Sequence, residues 1–316
     1  MKSLTFILAL PLLLAGPANA QETEPPTPAS IVAAAAPDEW VAIAPEDLLV
    51  MDLAPDRDGH ARRVVIQLLP APFSQPWVAN VRTLARAHWW DGTQVYRVVD
   101  NWVAQWGAGE DGGEAGFVEH PLPEGLVSPV ADYGSSDLPA GLRVLVDDLA
   151  SAEYPELFDQ YSLGTGHWSG WPFATDRATA WPIHCYGTVG VARDLAPDTG
   201  TGAELYAVIG HAPRQLDRNI AVVGRVIEGI EHLSTLPRGT AEAGVYAMRA
   251  EDTLIVSVRL ASELPDVPRF EYLDTSSESF ARYVQVRASR SDAFYTVPAG
   301  GVDVCNVQVP IRPVLP

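Results

Sequence analysis

The sequence predicts a mainly β fold with few helices, and two observations support this. Short runs of apolar, β-branched and aromatic residues recur between turn-forming residues, for example at residues 63–68 and 253–260. The clearest helical periodicity lies at residues 74–86, where Ser74 is a candidate N-cap and Pro76 stands in the first turn. With 47% hydrophobic residues, the 316-residue chain can bury a substantial core.

The N-terminus has the three parts of a secretory signal peptide. Lys2 is followed by an apolar run at residues 4–14 and by Ala18-Asn19-Ala20, which is typical of a cleavage site. We therefore expect residues 1–20 to be cleaved after Ala20 and the protein to be periplasmic or secreted. Residues 21–37 are rich in proline, alanine, glutamate and threonine and are expected to form a disordered linker.

The net charge and the cysteine content argue against several classes of protein. A net charge of −19 argues against binding to nucleic acid or anionic membranes, because those surfaces attract clustered basic residues. No segment after the signal peptide is apolar for about 18 residues, so no membrane insertion is expected. Cys185 and Cys305 are the two cysteines, and in an exported chain their wide separation favours a disulfide over a redox pair or a metal site.

Residues 90–107 predict a tight β-hairpin after the helix. Asp91-Gly92 leads into the strand-forming segment around Arg97, and Asp100-Asn101 is a turn signal before a second segment that contains Gln105. On composition alone, Arg97 would be interpreted as a surface arginine whose aliphatic part packs on the sheet. The pattern around it favours a functional role.

This hairpin resembles the active-site hairpin of cyclophilin-type peptidyl-prolyl cis-trans isomerases, whose pattern is F-H-R-V-I-P-G-F-M-x-Q-G-G. The arginine and the glutamine stand at the family's spacing. The matching residues are Val95, Tyr96, Arg97, Trp102, Val103, Gln105, Trp106 and Gly107. Further along, residues 187–192 are similar to the family's G-x-x-x-M-A, residues 203–206 stand in place of S-Q-F-F, and residues 215–217 and 221–226 are similar to W-L-D and V-V-F-G-K-V.

The resemblance implies a closed eight-stranded antiparallel β-barrel capped by two helices, the second at residues 228–236. The cyclophilin-like domain is expected to span residues 38–260. Residues 108–183 exceed the family's usual length and are expected to form an elaborated loop beside the groove, with one helical turn near residues 154–161. Residues 261–316 are expected to be a C-terminal extension packed on the barrel, with a helix capped by Ser276 or Ser277.

The activity that the resemblance implies is cis-trans isomerisation of X-Pro bonds in exported proteins, without a cofactor. X-Pro rotation is slow because the amide bond has partial double-bond character, yet no covalent step is needed to accelerate it. A fixed cation aimed at the twisted amide and a pocket for the proline ring provide the stabilisation. The resemblance assigns Arg97 as the electrostatic catalyst and Gln105 as the residue that orients it. It assigns substrate binding to Trp102, Val103, Glu204, Tyr206 and Leu216.

This chain departs from the family pattern at several groove positions. Val103 replaces a methionine, Tyr206 a phenylalanine and Glu204 a glutamine, while Gln215 and Ile220 stand where the family has tryptophan and histidine. We therefore expect an altered peptide preference and weak binding of cyclosporin-like ligands. The expected partners are proline-containing peptides or unfolded exported proteins, and the protein is expected to be a monomer.

Two other functions stay open. A chain that keeps the groove without the rate enhancement would be a peptide-binding module or chaperone. A barrel that binds a small apolar ligand inside is a third possibility, although small closed barrels usually fill their interiors with side chains. No metal site is predicted, because the calcium-like segment at residues 56–59 lacks later ligands and the seven histidines have no metal-binding spacing; they are expected at the surface or in turns.

Overall fold

A computed structural model describes residues 25–109, 120–151 and 159–314. The strands, in chain order, are β1 (Trp40–Ala42), β2 (Leu48–Leu53), β3 (Arg62–Leu68), β4 (Gln94–Val98), β5 (Val103–Gly107), β6 (Gly164–Trp168), β7 (Trp171–Thr175), β8 (Ala180–Pro182), β9 (Thr188–Val191), β10 (Leu205–Val208), β11 (Val222–Glu228), β12 (Thr253–Leu260), β13 (Phe270–Leu273) and β14 (Ile311–Pro313). The α-helices are α1 (Pro28–Ala34), α2 (Gln75–Arg86), α3 (Ala140–Ser151), α4 (Glu231–Ser234) and α5 (Glu278–Ala288).

Eight of these strands close into an antiparallel barrel in the order β10-β5-β4-β12-β2-β3-β11-β9, which confirms the predicted fold class. Alternate residues of each strand point inward, so that Met51, Ile66, Trp106 and Ile255 belong to one buried cluster. Because apolar side chains fill this core, the structure does not favour a barrel with a ligand inside.

Helix α2 covers one side of this core. Its buried face includes Trp77, Val81 and Leu84, and it packs against β11 and β12. The predicted capping role of Ser74 is wrong, because Ser74 has a φ of 51° and its side chain makes no capping hydrogen bond. The proline at the start of the helix has no N–H to satisfy, so the helix begins without a side-chain cap.

The second predicted helix, at residues 228–236, is much shorter than expected. Glu228 belongs to β11, and α4 comprises four residues. Gly229 separates the two elements with a φ of +81°, and a Cβ there would stand 2.0 Å from the carbonyl oxygen of Arg63. Only glycine fits this close approach of two backbones, so the helix begins after it.

The described parts of the insertion at residues 108–183 contain more regular structure than the predicted loop. It contains α3 and a three-stranded sheet of β6, β7 and β8. Leu142, Val146 and Phe173 pack into the barrel's buried cluster. The apolar residues of α3 recur at helical spacing, a signal that the sequence interpretation did not use. The helical turn expected near residues 154–161 lies largely outside the described residues.

The N- and C-terminal segments form a second layer on the outside of the barrel. Strands β1, β13 and β14 form one sheet, and Phe270 packs against Leu48, Val50 and Val65 of the barrel. Ser277 caps α5 by accepting a hydrogen bond from the backbone N–H of Phe280. The expectation of a disordered linker is wrong from residue 28 onwards, because α1 forms there.

Helix α1 is ordered by a local cap and by burial. The Thr27 hydroxyl accepts from the backbone N–H of Ser30, and Ser30 bonds back to Thr27. Ile31 is buried in the cluster that contains Phe280 and Tyr283 of α5. The proposed signal peptide, residues 1–20, lies outside the described residues. Within the described ranges, no helix combines the length and the apolar character needed to cross a bilayer.

The predicted Cys185–Cys305 disulfide is confirmed, with an S–S distance of 2.05 Å. Replacing both cysteines with serine is expected to lower the free energy of unfolding by about 3–5 kcal/mol, because the bridge closes a long loop in the unfolded chain. Urea unfolding of the oxidised mature protein and the double variant measures this difference. Reductant should shift the midpoint of the wild type and leave that of the variant unchanged; a loss below about 1 kcal/mol would contradict the expectation.

Candidate functional site

Three predicted site residues lie in one row across neighbouring barrel strands. Arg97 of β4 is paired with Gln105 of β5, and Gln105 is paired with Tyr206 of β10. Because neighbouring strands are about 4.8 Å apart, the row spans about 10 Å between its outer backbones. Ala104 and Leu205, adjacent to row residues in the chain, point into the barrel core, so the row lies on the outer face.

A β-bulge aims the arginine at this face. The register of β4 against β5 shifts between Val95 and Arg97. Val95 and Val98 both join the barrel core, and the two residues between them, Tyr96 and Arg97, make their contacts outside it. A bulge inserts one extra residue and redirects side chains in this way. The sequence pattern identified Arg97 without revealing the bulge.

Arg97 is held on two sides. Its Nη1–H donates to Oε1 of Gln105 over 2.9 Å, and its Nε–H donates to the carbonyl oxygen of Ala243 over 2.6 Å. The backbone of Arg97 also pairs with Val245. Residues 243–245, which precede β12, therefore flank the guanidinium. Among the described residues, no partner occupies Nη2, which leaves its N–H donors available to a ligand.

Burial lowers the pKa of the Arg97 guanidinium from its usual value, while Tyr96 opposes that shift. An arginine nevertheless stays charged over the whole physiological pH range. Partial removal of water around the cation strengthens its field at the groove, since charges interact more strongly at a lower dielectric constant. The geometry thus provides a fixed positive charge with free donors.

Gln105 connects the arginine to a second hydrogen-bonded pair. One Nε2–H donates to the Tyr96 hydroxyl, and this hydroxyl donates to the Glu204 carboxylate over 2.8 Å. Gln105 therefore contacts both Arg97 and Tyr96, and its second amide N–H has no partner among the described residues. Burial, followed by the charge of Glu204, raises the pKa of Tyr96, so that its proton stays in place.

Glu204 lies at the edge of the row immediately before β10. Its carboxylate covers Gly107, where a Cβ would approach Cδ of Glu204 to 2.3 Å, and it accepts the backbone N–H of Gly109 over 3.1 Å. The acidic group is thus fixed against β4 and β5. The predicted contact of Glu204 with substrate stays a prediction.

The apolar residues predicted to bind proline come together beside the row. Val103 and Tyr206 are buried there with Val208, and Trp102 and Leu216 pack against them. Ala192 and Ile220 also line this cluster and were not predicted as site residues. Ala192 ends the G-T-V-G-V-A block, and that similarity was the signal that could have identified it.

Behind this pocket, Tyr206 is fixed by a buried polar chain. Its hydroxyl donates to Nε2 of His184 over 2.9 Å, and Nδ1–H of His184 donates to the Asp217 carboxylate over 2.9 Å. Asp217 and Asp159 both pair with Arg214. Burial raises the pKa of Tyr206, so the phenol stays protonated. A buried tyrosine hydroxyl needs such a partner.

The surface or turn location expected for all histidines is wrong for His167 and His184, which are buried. Three hydrogen bonds satisfy the fully buried His184: its backbone N–H and Nδ1 both contact Asp217, and Nε2 contacts Tyr206. No local spacing in the sequence marks these partners. The only sequence signal was Asp217 of the W-L-D-like segment, which was identified without its contact.

Replacing Tyr206 with phenylalanine is expected to preserve the pocket and to lower the free energy of unfolding by about 1–3 kcal/mol, because Nε2 of buried His184 loses its partner. Urea unfolding measures the stability change, and a peptide-binding titration checks that the pocket is retained. The matched control is Tyr186→Phe at an exposed tyrosine, for which we expect a change below about 0.5 kcal/mol. Equal stabilities of the two variants would contradict the buried chain.

The described residues contain one cluster of three potential metal-ligating side chains, Asp56, Asp58 and His60. These side chains lie at the exposed turn between β2 and β3, and His60 Nδ1 contacts Asp56 over 3.1 Å. They are distant in the chain from the row and the pocket, and the groove chemistry described above uses none of them.

Comparison with protein families gives a match over residues 61–259 to the model described as cyclophilin type peptidyl-prolyl cis-trans isomerase/CLD. Comparison with curated proteins gives no match. Among solved structures, cyclophilin AquaCyp293 from Hirschia baltica is similar with a TM-score of 0.56 and 21% identity, over 92% of this chain and 98% of that one.

A cyclophilin type peptidyl-prolyl cis-trans isomerase from Cryptosporidium parvum has a TM-score of 0.38 and 13% identity, over 68% of this chain and 96% of that one. At 21% identity and a TM-score of 0.56, the Hirschia baltica structure shows a likeness of fold. The family match covers more than half of the chain and includes the row from Arg97 to Tyr206.

Proposed function

The chain belongs to the cyclophilin-type peptidyl-prolyl cis-trans isomerase family, and from this premise we propose that it catalyses rotation about X-Pro bonds in exported proteins, with Arg97 as the electrostatic catalyst. The observation that carries the proposal is the row of Arg97, Gln105 and Tyr206 beside an apolar cluster on the barrel. Fixed charge, an orienting acceptor and a ring-binding surface occur side by side.

The chemistry follows from the electronic structure of the amide. In both planar isomers the nitrogen lone pair is delocalised into the carbonyl group, and this conjugation is lost at the twisted transition state. The lone pair then becomes available on the prolyl nitrogen. An N–H donor of Arg97 Nη2 directed at that nitrogen, or at the preceding carbonyl oxygen, binds the twisted state more strongly than either planar state.

The apolar pocket supplies the other half of the mechanism. Val103 and the ring of Tyr206 provide a buried surface for the proline ring, while Trp102 and Leu216 are partly exposed at its side. Holding the ring fixed lets the residue before proline rotate against the arginine. Because the Tyr206 hydroxyl is bonded to His184, the pocket presents the apolar part of the ring to the substrate.

Two features support exported proteins as the substrate class and a periplasmic or secreted location. Residues 1–20 have the pattern of a cleaved signal peptide. The Cys185–Cys305 disulfide fits an oxidising compartment, where such bonds persist. Proline-containing segments of unfolded exported proteins are the partners that follow from this location.

The test is an isomerisation assay with the mature protein and a short X-Pro peptide, together with a binding titration of the same peptide. We expect exchange to be faster than the uncatalysed reaction, which takes tens to hundreds of seconds. A peptide with alanine in place of proline is the control and should bind more weakly. Binding without acceleration would overturn the enzymatic proposal in favour of a peptide-binding module or chaperone. If the protein neither binds the peptide nor accelerates its isomerisation, both functions are rejected.

A further inference from the structure

A second cavity, of about 890 Å³, lies between α1, the barrel and the C-terminal extension. It shares no lining residue with the groove described above. Trp40, Trp171, Ile227 and Val307 contribute apolar surface to it, and the disulfide borders it. Its volume is within the usual range for sites that bind small organic molecules, about 300–1,000 Å³.

The charge of the lining is opposite to that of the chain. Acidic residues outnumber lysine and arginine by 40 to 21 in the sequence. The cavity, in contrast, is lined by no aspartate or glutamate among the described residues. The basic residues that line it are Arg225, Arg287, Arg290 and Arg312. The local potential is therefore positive within a strongly negative protein.

Arg225 is the arginine on the barrel side of the cavity. Its guanidinium lies over the Trp171 ring at 4.3 Å, and it donates to Oε1 of Gln67 and to the carbonyl oxygen of Gly170. All of these acceptors are neutral, and Arg225 forms no ion pair within the described part of the chain. Burial lowers its pKa to about 9, with a small opposing effect of Tyr272.

Such an arrangement is costly without a counter-charge, because a cation removed from water is stabilised mainly by a paired anion. The contacts of Arg225 use one donor each at Nε, Nη1 and Nη2. A guanidinium has five N–H donors, so Nη1 and Nη2 each retain one. These remaining donors have no partner among the described residues.

Helix α5 adds a second cation without a counter-charge to the lining. Nε–H of Arg287 donates to the Tyr283 hydroxyl over 3.0 Å, and Arg287 forms no ion pair in the ranges that the structure describes. Arg290 and Arg312 each pair with one carboxylate, Asp292 and Glu271. Arg287 and Arg312 are exposed, so the basic lining reaches the solvent.

We propose that this cavity binds an amphipathic organic anion, whose carboxylate, sulfonate or phosphate group is held by Arg225 and Arg287 and whose apolar body packs on Trp40 and Trp171. Guanidinium groups recognise such oxyanions through paired N–H donors. The apolar floor favours an organic anion over inorganic phosphate, because a small ion would leave that surface without contact. The site is independent of the isomerase proposal.

The test compares two fluorescent probes that differ mainly in charge, anilinonaphthalene sulfonate and the neutral N-phenylnaphthylamine, by titration into the folded mature protein. We expect the sulfonate to bind at least about tenfold more tightly, since the neutral probe lacks the oxyanion. Arg225→Gln and Arg287→Gln should each weaken sulfonate binding at least about fivefold and leave the neutral probe unchanged. Arg287 is exposed on α5, so its variant is expected to fold even if the Arg225 variant does not.

The matched control is Arg63→Gln, which removes an exposed arginine that pairs with Asp52 and does not line the cavity. It should leave the affinity of both probes unchanged, and an excess of X-Pro peptide should not displace the sulfonate. Equal affinities for the two probes, an equal loss in the Arg63 variant, or displacement by the peptide would overturn the proposal. Inorganic phosphate that competes as well as the sulfonate would also overturn it, because the apolar body would then contribute nothing.

Discussion

Replacing Arg97 with alanine is expected to reduce kcat/KM for an X-Pro peptide by on the order of 100-fold, the usual effect of removing one transition-state donor. Its Nη2 donors have no partner among the described residues, whereas Nε and Nη1 are used to fix the side chain. The loss should appear in kcat, because this contact strengthens only as the amide twists. A protease-coupled or line-shape assay at matched folded concentrations measures it.

Two control variants separate catalysis from general charge. Arg238→Ala removes an exposed arginine paired with Asp100 at the turn of the same hairpin, and it should leave kcat/KM within about twofold. Arg97→Lys keeps the charge and loses the planar fork, so its activity should lie between those of the wild type and the alanine variant. An Arg97→Ala variant that folds and keeps full activity would eliminate the proposed catalyst.

Replacing Arg214 with methionine is expected to lower the free energy of unfolding by about 3–5 kcal/mol. Arg214 is 4% exposed, and it pairs with Asp159 through both Nη atoms and with Asp217 through Nε. Although burial opposes the charged form, the hydrogen bonds that Arg214 donates to Asp159 and Asp217 raise its pKa. The variant leaves two buried carboxylates without a cation, and urea unfolding measures the cost.

The comparison for this variant is Arg63→Met, whose exposed pair with Asp52 should contribute about 1 kcal/mol or less. Adding Asp159→Asn to Arg214→Met should recover part of the lost stability, since one uncompensated charge is then removed. If the Arg214 and Arg63 variants lose similar stability, the buried network of Arg214, Asp159 and Asp217 does not contribute the expected stability.

The sequence predicted features whose determinants are local or that leave a single choice of partners. The Asp100-Asn101 turn fixes the hairpin that pairs Arg97 with Gln105, and both residues lie within nine positions of each other. The disulfide was predictable because the chain offers one possible pair of cysteines. The pocket residues were found through their similarity to a known pattern, since Val103 and Tyr206 alone look like ordinary core residues.

The missing parts depend on contacts between distant residues. The acceptor for Arg97 Nε is Ala243, and the partner of the Tyr206 hydroxyl is His184; neither backbone carbonyls nor isolated histidines carry a sequence signature. Asp159, which belongs to the insertion, pairs with Arg214 outside it. Within the insertion, Gly164 and Gly166 lie in β6, although glycine is disfavoured in strands. The fold and the hairpin around Arg97 were thus predictable from the sequence, whereas the distant contacts that hold them in place were not.

The sheet that joins β1 to β13 and β14 has a consequence for the order of events during biogenesis. Trp40 pairs with Leu273, and Phe270 pairs with Pro313, so this layer cannot assemble until residue 313 has emerged. Pairings over such sequence distances form slowly. A chain that crosses a membrane in extended form would therefore complete its folding only after release on the far side, and a fragment truncated before residue 311 would leave the edge of β13 open to other unfolded chains.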